Sequence, residues 1–493
     1  MNLFAIVLGL IVLALLSVSI ARLGKVKTKA DYLVAGRSLP AFVLVFTLLS
    51  SWIGSGSLLG GAENAYKHGF AALWQSAGGW AGLALIYFIA PRARKFAQFT
   101  IPDLLEARYN QTARVLGVLA VLFAYTAITS YQFIGGGDIL HLIFPSVTAV
   151  EGQYILAAFV VVFTAIAGMG SVAYMDVFIG LLATVTMIVA LPVLVHMAGG
   201  WGSIRATLPA THFQVLGDLK FFTRDTSTAA GAGTQTAMEL FLPTCLLMLG
   251  NQAMYQKFFS ARSERDARRA TVGCVIGTVV LESVIVALAV VGSAMYHTGE
   301  VSQRPREILA FTATHAFGGS RWLQVLGALL VGAIFAKVVS TANNYLFSPS
   351  TNLINDVYVR YVRPTASNAE VLAVSRVVVA GLGGWALWQS LGTTSVLQQS
   401  LYAYTIYSAA LTPVILAAFF WRRATAAGAV SSIAAGTVIT VLWDKPFIAQ
   451  HLPAGLAARD AILPALVVSL ACLLVVSLAT PRPSQRQLQP FGE

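Results

Sequence analysis

A run of polar residues with the chemistry of a cation site interrupts a hydrophobic stretch at Lys337–Asn344. Helical spacing would place Lys337, Thr341 and Asn344 on one face, with Ser340 beside them. Hydroxyl and amide oxygens are hard ligands that suit a small alkali or alkaline-earth cation. The alternative is a strip of hydrogen bonds between packed helices. The sequence alone leaves both interpretations open.

A second polar stretch, Ser50–Ser57, combines serines with Gly54 and Gly56, and Gly60 and Gly61 follow it. Glycines interleaved with serines make a regular helix unfavourable at this point. A broken helix exposes backbone carbonyls that lipid cannot satisfy, so a break is tolerated only beside a cavity. Carbonyl oxygens around a cavity can coordinate a cation. We therefore predict a functional break here.

A matching interruption occurs at Gly250, Asn251 and Gln252, about five predicted membrane spans further along the chain. By itself it could be a buried polar contact. Interrupted helices at corresponding places in two halves of a sequence are the usual indication of an inverted-repeat transporter and its binding site. The pair of breaks therefore favours transport.

Two acidic residues lie in predicted spans. Asp176 falls just inside the span Val172–Met197, where an acid is costly and is a functional candidate by default. The alternative is an interfacial residue held by a nearby basic group. Glu282 is similarly isolated in the span Ala270–Met295, but no motif surrounds it, and the sequence assigns it no role.

The elements that must position these residues are membrane helices. Hydrophobic residues make up 57% of the 493-residue chain and charged residues only 11%, whereas soluble domains carry about a quarter charged residues. Apolar runs long enough to cross the bilayer recur throughout, and about thirteen such spans are predicted. The longest, Val115–Phe144 and Leu323–Val359, exceed a straight span. The fold class is an all-α integral membrane protein.

Basic residues predict the orientation. Most of the 32 lysines and arginines, Lys25, Lys27 and Lys257 among them, fall in segments that share one side of the membrane. The positive-inside rule then places the N-terminus outside and the C-terminus in the cytoplasm of a multi-pass plasma (inner) membrane protein. Scattered over short loops, these residues account for the net charge of +12 without nucleic acid. The partners expected are a small-molecule solute and the lipid bilayer, and no obligate protein partner is implied.

Four stretches in sequence order resemble the solute:sodium symporter family: Lys29–Pro40, Ser50–Gly56, Gly168–Asp176 and Ser340–Asp356. The resemblance implies a LeuT-type core of ten helices in two inverted five-helix repeats. The expected single transport domain, 1–493, comprises a leading helix and cytoplasmic loop (1–40), the first repeat (41–198), the second repeat (236–421) and peripheral helices (427–480). The stretches Trp52–Gly56 and Gln252–Lys257 look most like the choline-transporting branch.

The resemblance also implies sodium as the coupling ion. The first site would use the backbone carbonyls of Ser50, Ile53 and Lys337 and the hydroxyls of Ser340 and Thr341. A second site, present in some members, would use Ser51, Asp176, Thr341 and Asn344. Asn343 and Asn344 stand where small hydroxyl or acidic residues are common.

Lys337 departs most sharply from the family, which usually has a small residue there. Two unit charges 4 Å apart repel by about 4 kcal/mol at an effective dielectric constant of 20. The amine could replace sodium as a proton carrier, pair with Asp176, or extend away towards water. The function predicted is secondary active import of a small polar organic solute by alternating access, coupled to sodium. The alternative is the same fold with proton-coupled or sodium-independent transport.

The solute is expected between the two breaks. Aromatic walls with a few amides could hold a sugar by stacking or a quaternary amine by cation–π attraction. Asn251 replaces an aromatic residue of the choline branch, which would leave an aromatic cage incomplete. The candidate solute-binding residues are Trp52, Ser55, Gly56, Trp74, Gln75, Tyr131, Asn251 and Gln252.

Other function classes find less support. No HExxH, GxSxG or clustered His/Cys set indicates a membrane enzyme. An ion channel is the remaining non-transporter alternative, but no repeated filter-like loop is present. The two breaks suit alternating access better than a continuous pore.

Overall fold

The computed structural model describes residues 3–489 except 24–27, 97–99, 167–168, 223–234, 393–394, 444, 454–455 and 457–458. The loop lysines Lys25 and Lys27 and the motif residue Gly168 lie outside the described residues. Within the described ranges the chain is helical, with one isolated β-bridge between Leu39 and Ala261. The predicted fold class is confirmed.

The α-helices are numbered here in chain order. Their bounds are α1 Leu3–Leu23, α2 Lys29–Val34, α3 Ala41–Trp52, α4 Ala62–His68, α5 Leu73–Ile86, α6 Ala90–Phe96, α7 Ile101–Arg108, α8 Gln111–Ile143, α9 Ala149–Ile166, α10 Met169–Met197, α11 Gly200–Thr207, α12 Ala237–Gly250, α13 Gln252–Ser260, α14 Glu264–Met295, α15 Glu300–Gln303, α16 Ile308–His315, α17 Arg321–Asn352, α18 Asn368–Leu391, α19 Val396–Ala410, α20 Thr412–Phe420, α21 Ala426–Leu442, α22 Pro446–Ala449, α23 Ile462–Ala479 and α24 Gln485–Leu488.

Eight described helical stretches are individually long and apolar enough to cross a membrane, and a bent pair raises the number to nine. Shorter apolar helices at Leu3–Val18 and Ala426–Leu442 match the spans predicted near Leu3–Ile20 and Ala427–Trp443. The broken pair α12 and α13 matches the span predicted near Thr236–Phe258. A helix therefore lies at each predicted span, while the number that crosses a bilayer stays a prediction.

The first predicted break lies at the end of α3. The helix stops at Trp52, and Ile53 has an extended backbone with ψ of 96°. The chain resumes as a π-helix at Gly56–Gly61, and the two parts are bent by 57°. The bend occurs where glycine and serine remove the side-chain packing that would favour a continuous helix.

The second predicted break separates α12 from α13 at a single residue. Asn251 has a non-helical ψ of 108°, and its side chain caps α13 by accepting a hydrogen bond from the Met254 amide at 3.4 Å. A Cβ atom on Gly250 would collide with the side chain of Thr412, so the residue before the break must be small. Each break thus interrupts the first helix of a predicted repeat.

The long helix α17 lies at the centre of the bundle. It packs against α1, α3, α8 and α10, and α13 also contacts it. Beyond Asn352 it continues as a π-helix, Leu353–Val362. Residues Leu326–Asn352 of α17 are almost all buried. The predicted cation-binding run therefore faces protein on every side.

Three arginines of the predicted basic loops hold neighbouring segments together. Arg94 donates to the Ala261 carbonyl at 2.6 Å, and Arg108 donates to the Trp421 carbonyl at 3.3 Å. Arg114 forms ion pairs with Asp103 and, at 2.8 Å, with Glu106. Which side of a membrane these arginines face stays a prediction.

Candidate ion and solute sites

Three backbone carbonyls converge on one hydroxyl where the break in α3 meets α17. Thr341 Oγ1 lies 2.9 Å from the Ser50 oxygen, 3.2 Å from the Ile53 oxygen and 2.9 Å from the Lys337 oxygen. We call these three oxygens the carbonyl cluster. A hydroxyl has one proton to donate, so it cannot satisfy the Ser50 and Ile53 carbonyls, which lie at the break, at the same time.

The carbonyl cluster fits a sodium ion. Hard oxygen ligands without a net charge suit an alkali cation. The break frees the Ser50 and Ile53 carbonyls from helical hydrogen bonds, and Thr341 supplies a hydroxyl at the same point. The Ser340 hydroxyl instead donates to Asp176, so its role as a ligand stays a prediction.

Gly54 packs directly against this cluster, and its substitution is a sharp test. A Cβ atom at position 54 would lie 2.5 Å from Thr341 Oγ1. Overpacking of this kind costs about 1–3 kcal/mol, and here it would displace the hydroxyl from the carbonyls. We expect Gly54→Ala to lower sodium-dependent uptake about tenfold or more. Uptake into proteoliposomes measures the effect.

Gly381→Ala is the matched control, because a Cβ there meets nothing within 4 Å. It should transport like the unmodified chain. Full sodium-dependent uptake by Gly54→Ala would contradict a role for the carbonyl cluster.

Asp176 is fully buried among hydrogen-bond donors. Its carboxylate accepts from Thr47 Oγ1 at 2.5 Å, from Ser340 Oγ and from Asn344 Nδ2 at 3.3 Å. These donors come from α3 and α17, so the carboxylate of α10 ties the broken helix to the central one. Asp176 is thus buried inside the protein, and its depth in the membrane stays a prediction.

Lys257 reaches the same place from α13. It is fully buried, and its ammonium donates to Ser51 Oγ and, at 2.7 Å, to Asn344 Oδ1. The amide of Asn344 thus links the ammonium to Asp176. The sequence predicts Lys257 to be a cytoplasmic loop charge, but the structure buries it on α13, and the side of the membrane that it lies nearer stays a prediction. In the sequence, only the position of Lys257 shortly after the break at Asn251 could have indicated that it is buried.

Lys337 is also fully buried, so it does not extend towards water. Its ammonium donates to Ser50 Oγ at 3.1 Å. Among the residues that the structure describes, no ion pair joins Lys337 to Asp176. The ammonium therefore lies beside the carbonyl cluster, held by the side chain of a residue that also supplies one of the three carbonyls.

Trp52 and Gln75, two predicted solute-binding residues, line a small cavity with Ser57, Ser76 and Glu282. Glu282 is the isolated acid for which the sequence predicts no role. Its Oε1 accepts from Trp52 Nε1 at 2.8 Å and from Ser57 Oγ at 3.0 Å. Its Oε2 accepts from Trp80 Nε1 at 2.8 Å. We call this space the Glu282 cavity.

Gly56 and Tyr131 lie next to one another, beside Trp52. The Tyr131 hydroxyl is 3.2 Å from that of Tyr404, and the Tyr404 ring lies 5.7 Å from the Trp52 ring. A Cβ atom on Gly56 would lie 2.5 Å from the Tyr404 hydroxyl. Close by, the Ser55 amide donates to Gln132 Oε1 at 2.8 Å.

Asn251 and Gln252 form a separate cluster. Asn251 accepts from the Tyr125 hydroxyl at 2.8 Å and donates to the Tyr345 hydroxyl at 2.7 Å. Gln252 Nε2 donates to Asn352 Oδ1 at 2.6 Å. These amides form hydrogen bonds with other protein groups, and their contact with a solute stays a prediction.

Trp74 lies apart from both groups. Its indole donates to the Val215 carbonyl at 3.0 Å, and its ring packs edge-on against Phe221 and Phe241. These contacts place it against the segment that follows α11. A solute contact for Trp74 also stays a prediction.

Comparison with known proteins gives the family. Residues 32–436, most of the chain, match the sequence model of the Sodium:solute symporter family. The high-affinity proline transporter PutP of Bacillus subtilis (strain 168) is 24% identical over 487 residues, covering 94% of this chain and 95% of that protein. A sodium/proline symporter of Staphylococcus aureus is 25% identical, covering 92% and 88%.

Solved structures share the fold. A sodium-coupled sialic acid symporter in its substrate-bound outward-open state aligns with a TM-score of 0.80 at 17% identity, covering 98% of this chain and 99% of that one. MhsT in complex with L-phenylalanine aligns with a TM-score of 0.54 at 13% identity, covering 88% and 97%. The chain belongs to the sodium:solute symporter family, and it is a secondary transporter that imports a solute across a membrane and not an enzyme.

Proposed function

We propose that the protein couples solute import to sodium bound at the carbonyl cluster. The observation that carries this proposal is the convergence of the Ser50, Ile53 and Lys337 carbonyls on the Thr341 hydroxyl within 3.2 Å. Two helices that move relative to one another during alternating access supply these ligands. The ion would therefore favour one relative position of α3 and α17.

We further propose that sodium binds at this first site alone. The second predicted site contains Ser51, Asp176 and Asn344, but the Lys257 ammonium already donates to two of these residues. A sodium ion there would have to displace a cation that is covalently attached to the chain. One sodium per solute follows from this arrangement.

The predicted orientation and boundaries complete the proposal. The segments that carry Arg94, Arg108 and Arg114 face the cytoplasm at the plasma (inner) membrane, and the N-terminus lies outside. The breaks after Trp52 and at Asn251 mark the first helices of the two inverted repeats, 41–198 and 236–421. The solute is a small polar organic molecule, and both an amino acid, as in the proline-transporting relatives, and a quaternary amine deserve testing.

The experiment is a sodium titration of the purified protein in which thermal unfolding is the measurement, with potassium chloride as the comparison salt. A ligand that binds the folded state raises its apparent stability. We expect sodium, but not potassium, to stabilise the protein. We also expect Lys337→Met to tighten sodium binding, because it removes a positive charge beside the cluster.

The second candidate is sodium-independent or proton-coupled transport with the same fold. Two buried ammonium groups, Lys257 and Lys337, next to a cation site favour it. Equal stability in sodium and potassium for the unmodified chain, with sodium stabilisation appearing only in Lys337→Met, would support this alternative and contradict sodium coupling.

A further inference from the structure

Glu282 is a buried carboxylate without a basic partner. It lies near the middle of α14, is 2% exposed and faces the first break. Among the described residues no lysine or arginine forms an ion pair with it. A charge at this depth is expensive in a membrane protein and normally serves a function.

The hydrogen bonds around Glu282 favour its charged form. Trp52 Nε1 donates to one carboxylate oxygen and Trp80 Nε1 to the other, and an indole can only donate. Ser57 adds a third donor. These neutral groups solvate a charged carboxylate, but they provide no counter-ion for it.

The Glu282 cavity also contains an acceptor without a hydrogen-bond donor. Gln75 is 6% exposed, and its Oε1 atom is buried without a hydrogen-bond partner. The Trp52 and Trp80 indole N–H groups are already used by Glu282. The cavity thus offers a carboxylate, an amide oxygen and the Trp52 ring, all of which attract a positively charged donor.

The size of the cavity narrows the class of ligand. Its free space accommodates a group about as large as one water molecule. A water molecule or a sugar hydroxyl could donate hydrogen bonds, but either would leave the charge of Glu282 uncompensated. A carboxylate would be repelled. A protonated amino group both donates hydrogen bonds and balances the charge.

We propose that the Glu282 cavity binds the protonated amino group of the transported solute, with Glu282 as its counter-ion and Gln75 as a second acceptor. This inference rests on the proposed transport function and names its substrate class: an amine or amino acid rather than a sugar or a simple carboxylate. A bulky trimethylammonium group fits the cavity less well, because it is larger and has no hydrogen to donate.

The test compares solutes that differ only in the amino group, using thermal unfolding of the purified full chain in sodium chloride. The pairs are L-alanine with L-lactate and L-proline with tetrahydrofuran-2-carboxylate, and choline and glucose are added singly. We expect at least one amine to stabilise the protein and its oxygen analogue to have no effect. Glu282→Gln should weaken binding of that amine at least about tenfold.

Glu264→Gln is the matched control, because Glu264 is exposed at the start of the same helix. It should bind the amine as the unmodified chain does. Glu282→Gln should keep its stabilisation by sodium alone, which shows that it folds and retains the carbonyl cluster. Equal amine binding by Glu282→Gln, preferential binding of an oxygen analogue or glucose, or no response to any amine would each overturn the inference. Failure of sodium alone to stabilise the unmodified chain would count against sodium coupling and leave the amine assignment standing.

Discussion

Substitution of Thr341 by valine is expected to lower sodium-dependent uptake by at least about a hundredfold. Valine keeps the shape of threonine but removes the hydroxyl that lies within 3.2 Å of three carbonyls. Loss of residues that only orient metal ligands already lowers metal affinity about 10- to 100-fold, and loss of a ligand should cost at least as much. Initial uptake rates in proteoliposomes at several sodium concentrations measure the change.

Thr440→Val is the matched control for this substitution. Thr440 is equally buried, and its hydroxyl donates to the carbonyl four residues earlier, as that of Thr341 does, but it lies on the peripheral helix α21. We expect it to keep normal uptake. Sodium-dependent uptake by Thr341→Val at the normal rate and normal sodium affinity would show that the ion binds elsewhere.

The fold could be predicted from local chemistry because membrane helices and their interruptions leave strong signals. The glycines and serines around Gly54 stand out against apolar neighbours, and α3 does end next to them, at Trp52. The break at Asn251 was predicted because it lies about five predicted spans after the first one. Both predictions rest on the order of residues along the chain, so no knowledge of tertiary contacts was needed.

The candidate sites were only partly predictable, because their decisive contacts join distant parts of the chain. Glu282 appeared isolated, yet Trp52, Ser57 and Trp80, which surround it, are 230, 225 and 202 residues away. The sequence offers no means to count donors around a single acid. Its solute-binding prediction likewise combined residues, such as Trp74 and Asn251, that the structure places in different surroundings.

The buried lysines have the greatest consequence for mechanism. Lys257 and Lys337 bring two ammonium groups to a region in which Asp176 is the nearest carboxylate described. Each ammonium is held by a serine of α3, Ser51 and Ser50 respectively. A basic side chain at the end of a span ordinarily indicates a loop. Composition therefore could not show that Lys257 points into the bundle. The balance of charge around the carbonyl cluster therefore depends on two buried ammonium groups, one from α13 and one from α17.

Substitution of Lys257 by methionine is expected to change the number of sodium ions that the protein binds. The variant leaves Asp176 without its amide-linked counter-ion, and breaking buried ionic networks costs about 3–5 kcal/mol. It also frees oxygens of Ser51 and Asn344 for an ion. We expect lower thermal stability in potassium and a larger stabilisation by sodium than in the unmodified chain. The Hill coefficient for sodium should rise from about 1 towards 2, since it can approach the number of coupled sites.

Lys257→Arg separates charge from shape. A guanidinium keeps the positive charge near Asn344, so this variant should retain a Hill coefficient for sodium of about 1 even if its uptake is slower. The same sodium stabilisation and Hill coefficient in Lys257→Met and in the unmodified chain would contradict the view that the lysine takes the place of a second ion. If both variants instead bind a second sodium, then the packing of the lysine, and not its charge, keeps sodium out of the second predicted site. If only Lys257→Met gains a second sodium, then the positive charge of Lys257 takes the place of a second sodium ion in this transporter.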